Sequence, residues 1–145
     1  MKKRTGDPWM PGDAYGRSLP ALTVNLVASN IPRSVEFYRG VLGATVVYFD
    51  EDFAALRLSG VDFMLHADHT YDTNPWHASL LDGSRRGLGA EIRAFGIDPD
   101  AVERRARERG APIVRPAEDR HHGWREVMVA DPDGYVWAVG TAIGQ

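Results

Sequence analysis

The stretch LTVNLVASNIPRSVEFYRGVLGATVVYFD, residues 22–50, carries the reading that decides the fold. Leu22-Thr23-Val24-Asn25-Leu26-Val27 is β-rich and alternates in character, which predicts a strand. Asn30 is a good N-cap, and Pro32 suits the first turn of a helix because its missing N–H has no intrahelical partner there. Val35, Tyr38 and Leu42 recur at helical spacing, and Gly43 is a natural stop. Three β-rich runs follow, Ala44 to Phe49, Phe53 to Leu58 and Val61 to His66, separated by the turn chemistry of Asp50-Glu51 and Ser59-Gly60. The order is β-α-β-β-β.

Working outward, the same order recurs downstream. Leu88 to Phe95 reads as a strand, Asp98 as an N-cap, and Pro99 as the first residue of a helix running to Gly110. Pro112 to Arg115, Trp124 to Ala130 and Tyr135 to Thr141 supply three more strands, and Asp131-Pro132-Asp133-Gly134 is the tight turn between the last two. The repeat lies in structural order rather than in residue identity. Residues 67–87 form a mostly polar connection between the halves. Residues 1–19 are rich in Gly, Pro and charge and read as an irregular arm, either pinned to the domain or to a second subunit by Trp9, Met10 and Tyr15 or left as a loosely ordered tail. Residues 20–145 then form a single domain with modules at about 20–67 and 87–142. The fold class is α+β: two βαβββ modules with curved mixed sheets and helices on the outer face.

Composition bounds the function. The chain has 145 residues, 43% hydrophobic and 26% charged, enough for one packed domain. Net charge is -3 and no basic surface is concentrated anywhere, which argues against nucleic acid. The run Arg104-Arg105 to Arg109 is interleaved with Glu103 and Glu108, as on a solvated helix face. There is no cysteine, so thiolate metal sites, disulfides and cysteine nucleophiles are excluded. No apolar stretch approaches the roughly 20 residues of a membrane span, and the basic Met1-Lys2-Lys3-Arg4 start has no apolar region after it. A cytoplasmic protein is expected.

Several segments carry a family resemblance. Asn30-Ile31-Pro32-Arg33-Ser34-Val35-Glu36-Phe37-Tyr38 with Val41-Leu42-Gly43 resembles the first-helix signature of the vicinal oxygen chelate superfamily, with Asn30 where Asp is usual. Gly110-Ala111-Pro112-Ile113-Val114-Arg115-Pro116 and Gly123-Trp124-Arg125-Glu126 resemble the second half of its bleomycin-resistance-like members. Asp131-Pro132-Asp133-Gly134-Tyr135 resembles its closing hairpin. The superfamily includes glyoxalase I, extradiol dioxygenases and bleomycin-binding proteins. The resemblance covers roughly residues 20–142 and implies a ligand in the sheet concavity and a homodimer.

Metal-dependent members of that family resemble one another in placing His, Gln or Glu at fixed points on four strands. Counting by the resemblance, the first point falls at Thr23 and the last at Ala138. The second falls near Met64, where a shift of two residues would substitute His66, and the third falls at Glu91. A catalytic divalent ion needs about three N/O ligands plus an open position. At most Glu91 and His66 remain, so no metal and no cofactor is expected.

Strand alternation then defines the inward wall. If Thr23 faces the concavity, so do Asn25, Met64, His66, Glu91 and Arg93, while Val24, Leu26, Phe63, Leu65, Ile92 and Val139 face the helices. The expected ligand-binding set is Asn25, Met64, His66, Glu91, Arg93 and Trp124, and it suits an organic molecule with one or two polar functions. Each residue has a plainer account. Glu91 and Arg93 can simply pair with each other, and His66 can be a strand-end histidine bonded to a loop. Trp76 and Trp124 can stack on a ligand or pack in the core or dimer. His121-His122 can bind adventitious metal, gate the pocket or lie in an exposed loop. The function expected is a metal-independent small-molecule-binding protein. The alternative is a metal-free isomerase or lyase using Glu91 or His66 as general base.

Overall fold

The computed structural model describes residues 1–144. The chain divides into two compact units: Met1–Val35 with Ala44–Ser84, and Glu36–Gly43 with the chain from Arg85 onward.

In the first unit, helix α1 (Gly12–Ser18) lies within the N-terminal arm. Strand β1 (Asn25–Ala28) leads to helix α2 (Ile31–Gly40), then β2 (Thr45–Phe49), β3 (Phe53–Leu58) and β4 (Val61–Ala67). The sheet order is β1-β4-β3-β2, with β1 parallel to β4 and the other pairs antiparallel. The helical crossover returns the chain at β2 in the direction of β1, and two antiparallel reversals bring β4 back to that direction beside β1. Asn30 caps α2 as expected, its Oδ1 accepting from the Arg33 backbone N–H at 3.0 Å. Strand β1 starts later than residue 22, and ahead of it Thr23 Oγ1 donates to Pro20 O at 2.6 Å. Ser59 and Gly60 both take positive φ (51° and 75°), the conformation a two-residue hairpin requires.

After a 3-10 turn (Asp68–Thr70) and the short helix α3 (His77–Leu80), the second unit repeats the design. It contains β5 (Glu91–Phe95), α4 (Pro99–Arg109), β6 (Ile113–Asp119), β7 (Trp124–Ala130) and β8 (Val136–Ala142), in the order β5-β8-β7-β6. Asp98 caps α4 by accepting from the Asp100 N–H, and Gly110 ends it in the left-handed conformation. Helix α4 packs on β6, β7 and β8. The C-terminal part of α2 contributes Tyr38 to this unit's core. Its Oη donates to Asp131 Oδ2 at 2.6 Å and accepts from Trp137 Nε1 at 3.2 Å. Trp137 is therefore a core residue, on the face opposite Ala138.

The α+β class and the two βαβββ repeats stand as read from the sequence. The arm departs from an irregular coil. Among its residues, Gly12–Ser18 form a helix, with Arg17 paired to Asp13 one turn away.

Candidate functional site

The alternation inferred for the first sheet holds in space. Asn25 sits beside Met64 in register and Val27 beside His66, while Leu26, Phe63 and Leu65 are buried on the other face. Against the Met64–His66 face lies a cavity of about 340 Å³. Met64 and His66 of β4, Phe53 of β3 and Tyr48 of β2 form its sheet wall. The N-terminal arm forms the other wall, with Trp9, Met10, Tyr15 and Leu19.

Aromatic rings bind arm to sheet. Trp9 stacks on Tyr48 with centroids 5.2 Å apart and planes 12° apart. Tyr15 meets Phe53 edge to face at 5.2 Å, and Phe53 meets His66 at 5.1 Å. Such pairs add stabilisation beyond the area they bury.

A buried carboxylate fastens the same segment. Asp52, 1% exposed, accepts the backbone N–H groups of Lys3 (2.7 Å) and Arg4 (2.9 Å), and His69 Nε2 lies 2.7 Å from its Oδ1. Burial alone would raise its pKa. The bonds from Lys3, His69 and Arg4 outweigh that and hold it at about 2.

Two of the sequence-selected residues form a relay beside the cavity. His66 Nδ1 is 2.7 Å from Asn25 Oδ1, and Asn25 Nδ2 donates to Tyr71 Oη. Burial, reinforced by the nearby Lys2 charge, lowers the His66 pKa below the ordinary value of 6.5. The imidazole is therefore neutral at physiological pH, with one nitrogen committed to Asn25.

On the second sheet, Glu91, Arg93 and Trp124 come together. Arg93 Nη1 donates to Glu91 at 2.8 Å, its Nη2 to the buried Glu126 at 2.5 Å, and its guanidinium lies 4.9 Å from the Trp124 ring centre. His122 is 3.6 Å from Glu126, and Phe95 packs on Trp124 at 4.1 Å. The plainer account of Glu91 and Arg93 as partners thus describes their geometry. Trp76 is exposed and neighbours Tyr71 at 6.3 Å.

Sequence reasoning missed Asp52, Glu126 and the lining role of Trp9, Tyr15, Tyr48 and Phe53. The arm's isolated aromatics were a signal for the last group. Nothing in the local sequence distinguishes Asp52 from the turn residues Asp50 and Glu51.

The four points at which relatives hold a metal do not fit one here. Thr23 Oγ1 is spent on Pro20 O, Met64 offers only a thioether, Glu91 is held by Arg93, and Ala138 carries no donor. His66 in place of Met64 would add one ligand atom, its Nε2, because Nδ1 is engaged by Asn25, and one ligand is too few. Among the described residues, no group of three or more His, Asp or Glu is placed to hold a metal ion.

Each unit carries one four-stranded βαβββ sheet, and a cavity lies against the sheet of the first. Residues 21–139 match the family described as the Glyoxalase/Bleomycin resistance protein/Dioxygenase superfamily, and the chain belongs to it. An uncharacterized protein of Mycobacterium bovis is 32% identical over 130 residues, covering 86% of this chain and 84% of its own. A glyoxalase-related enzyme from Fulvimarina pelagi has a similar fold, with a TM-score of 0.66, 18% identity and 84% and 87% coverage of the two chains. A glyoxalase/bleomycin resistance protein/dioxygenase family enzyme from Burkholderia phytofirmans PsJN gives a TM-score of 0.66 at 17% identity, covering 83% of this chain and 97% of that one.

Proposed function

We propose that this protein binds a small organic molecule in the cavity of its first sheet and does so without a metal ion. The cavity carries this reading: about 340 Å³, walled by aromatic and aliphatic side chains with a few polar groups. Ligand pockets commonly fall between roughly 300 and 1,000 Å³ and have that composition. Superfamily membership supports the same role. The unsuited residues at the four metal points support metal independence.

A chelator-treated sample screened against an organic-fragment library tests the proposal. Fragments should shift the NMR signals of Trp9, Met64 and His66 equally with and without added Zn, Mn, Ni or Fe. A screen in which nothing perturbs those residues, or in which binding requires the metal, overturns it.

A second reading, a metal-free isomerase or lyase, is favoured by one observation. His66 lines the cavity as a neutral imidazole oriented by Asn25, the state a general base requires. Glu91 is less suited, since Arg93 already takes its carboxylate. Loss of turnover in His66→Ala with ligand affinity retained would favour this reading over simple binding.

A further inference from the structure

We infer that the ligand of this cavity is a planar aromatic acid, an organic anion whose ring lies among Trp9, Tyr48, Tyr15 and Phe53 and whose acidic group meets Arg4 and Tyr15. This inference rests on the reading of the cavity as the ligand site. It follows from asking what each polar group on the cavity wall is already doing.

The carboxylates are committed. The Asp52 carboxylate takes two backbone N–H groups and His69. Asp50, adjacent to the wall, takes Tyr48 Oη, Arg4 Nη1 and the backbone N–H groups of Asp52 and Phe53. Thr70 donates its hydroxyl to Ala67 O, and His66 Nδ1 is paired with Asn25. Apart from the second ring nitrogen of His66, what remains open consists of donors and positive charge. Arg4 Nε and Tyr15 Oη are both buried and both lack a hydrogen-bond partner, and both residues line the cavity. A guanidinium can only donate. Burial, and then the charge of Asp62, raises the Tyr15 pKa, so its hydroxyl keeps its proton and can donate too. Lys2 stands exposed at the cavity edge, close enough for its charge to act on His66.

Buried donors without acceptors are costly, and a carboxylate is the acceptor that meets such donors with charge-assisted bonds. A cation would meet the charge of Lys2, while the nearby carboxylates are already engaged, Asp50 by Arg4 and Tyr48 and Asp52 by His69 and two backbone N–H groups. The rings set the other half of the specificity. The stacked Trp9–Tyr48 pair and the edge-on Tyr15–Phe53 pair present flat and edge surfaces of the kind aromatic ligands pack against.

The test uses three probes sharing one ring system: 2-naphthoate, neutral 2-naphthylmethanol and cationic 2-naphthylmethylamine. Binding is followed by the indole signal of Trp9 and the methyl signal of Met64. Naphthoate should bind about tenfold or more tighter than the alcohol, the scale of one charge-assisted hydrogen bond. Tyr15→Phe and Arg4→Met should each weaken naphthoate about tenfold and leave the alcohol unchanged. Tyr15→Phe keeps the ring packing, and Arg4→Met keeps the backbone N–H that holds Asp52, so each variant controls for folding of the other. If the alcohol or the amine binds as tightly as naphthoate, the acid assignment falls and the cavity remains a ligand site. If no probe moves Trp9 or Met64, both readings fall.

Discussion

His69 Nε2 lies 2.7 Å from Asp52 Oδ1, across a carboxylate that also receives the backbone N–H groups of Lys3 and Arg4. One buried side chain thus joins the turn after β2, the 3-10 turn after β4 and the arm that walls the cavity.

Asp52→Asn should release the arm. An amide replaces one acceptor oxygen with a donor facing an N–H, and the cost should be about 1–3 kcal/mol. Hydrogen exchange at Lys3 and Arg4 should accelerate, and proteolysis within residues 1–19 should follow. Unchanged exchange at both amides would refute the role assigned to Asp52.

The same carboxylate fixes an acid limit. Its folded pKa, about 2, lies below the ordinary 3.8, so its stabilisation is fully present above the ordinary value and is lost as pH falls through about 2. The amount is on the order of 2 kcal/mol. Urea denaturation from pH 5 to 2 should show this slope in the natural protein and lose it in Asp52→Asn.

His66 works in the opposite region of pH. Because burial lowers its folded pKa, the unfolded chain takes up a proton first. Stability contributed by neutral His66 should hold above the ordinary histidine pKa and decline as pH falls below it, levelling off under the folded value. NMR titration should place His66 below 6.5, and occupancy of the cavity should lower it further only if the ligand is not an anion.

Arg93→Met should destabilise the second unit by roughly 1–3 kcal/mol. Removing one partner of a buried pair leaves Glu126, 3% exposed, without its shortest contact, while Arg120 and His122 soften the loss at 4.0 and 3.6 Å. Arg93→Met combined with Glu126→Gln should recover part of the deficit in urea denaturation. Additive losses would show that the two residues do not act as a pair.

Gly140→Ala tests the pairing of β7 with β8. A Cβ at Gly140 would stand 2.1 Å from the Arg125 carbonyl oxygen, so the two strands must separate. The expected cost is about 1–3 kcal/mol, seen as a fall in Tm.

Much of the fold was legible in residues 22–66 and 88–141 because caps, turns and two periodicities act locally. Asn30, Asp98, Gly110 and the Ser59-Gly60 turn each do in space what their chemistry indicates. The site was legible in part. Alternation placed Met64 and His66 on one face, since a strand's side chains can point only two ways. It could not reveal what stood opposite that face.

The sequence by itself determined the repeated βαβββ order, the start of α2, both ends of α4 and which strand faces are apolar, since each depends on neighbours a few residues away. Only the tertiary structure decided that residues 1–19 wall the cavity and that Asp52, not its neighbours, holds them. Those contacts join residues more than 40 positions apart, and no local propensity encodes a pairing across such a distance.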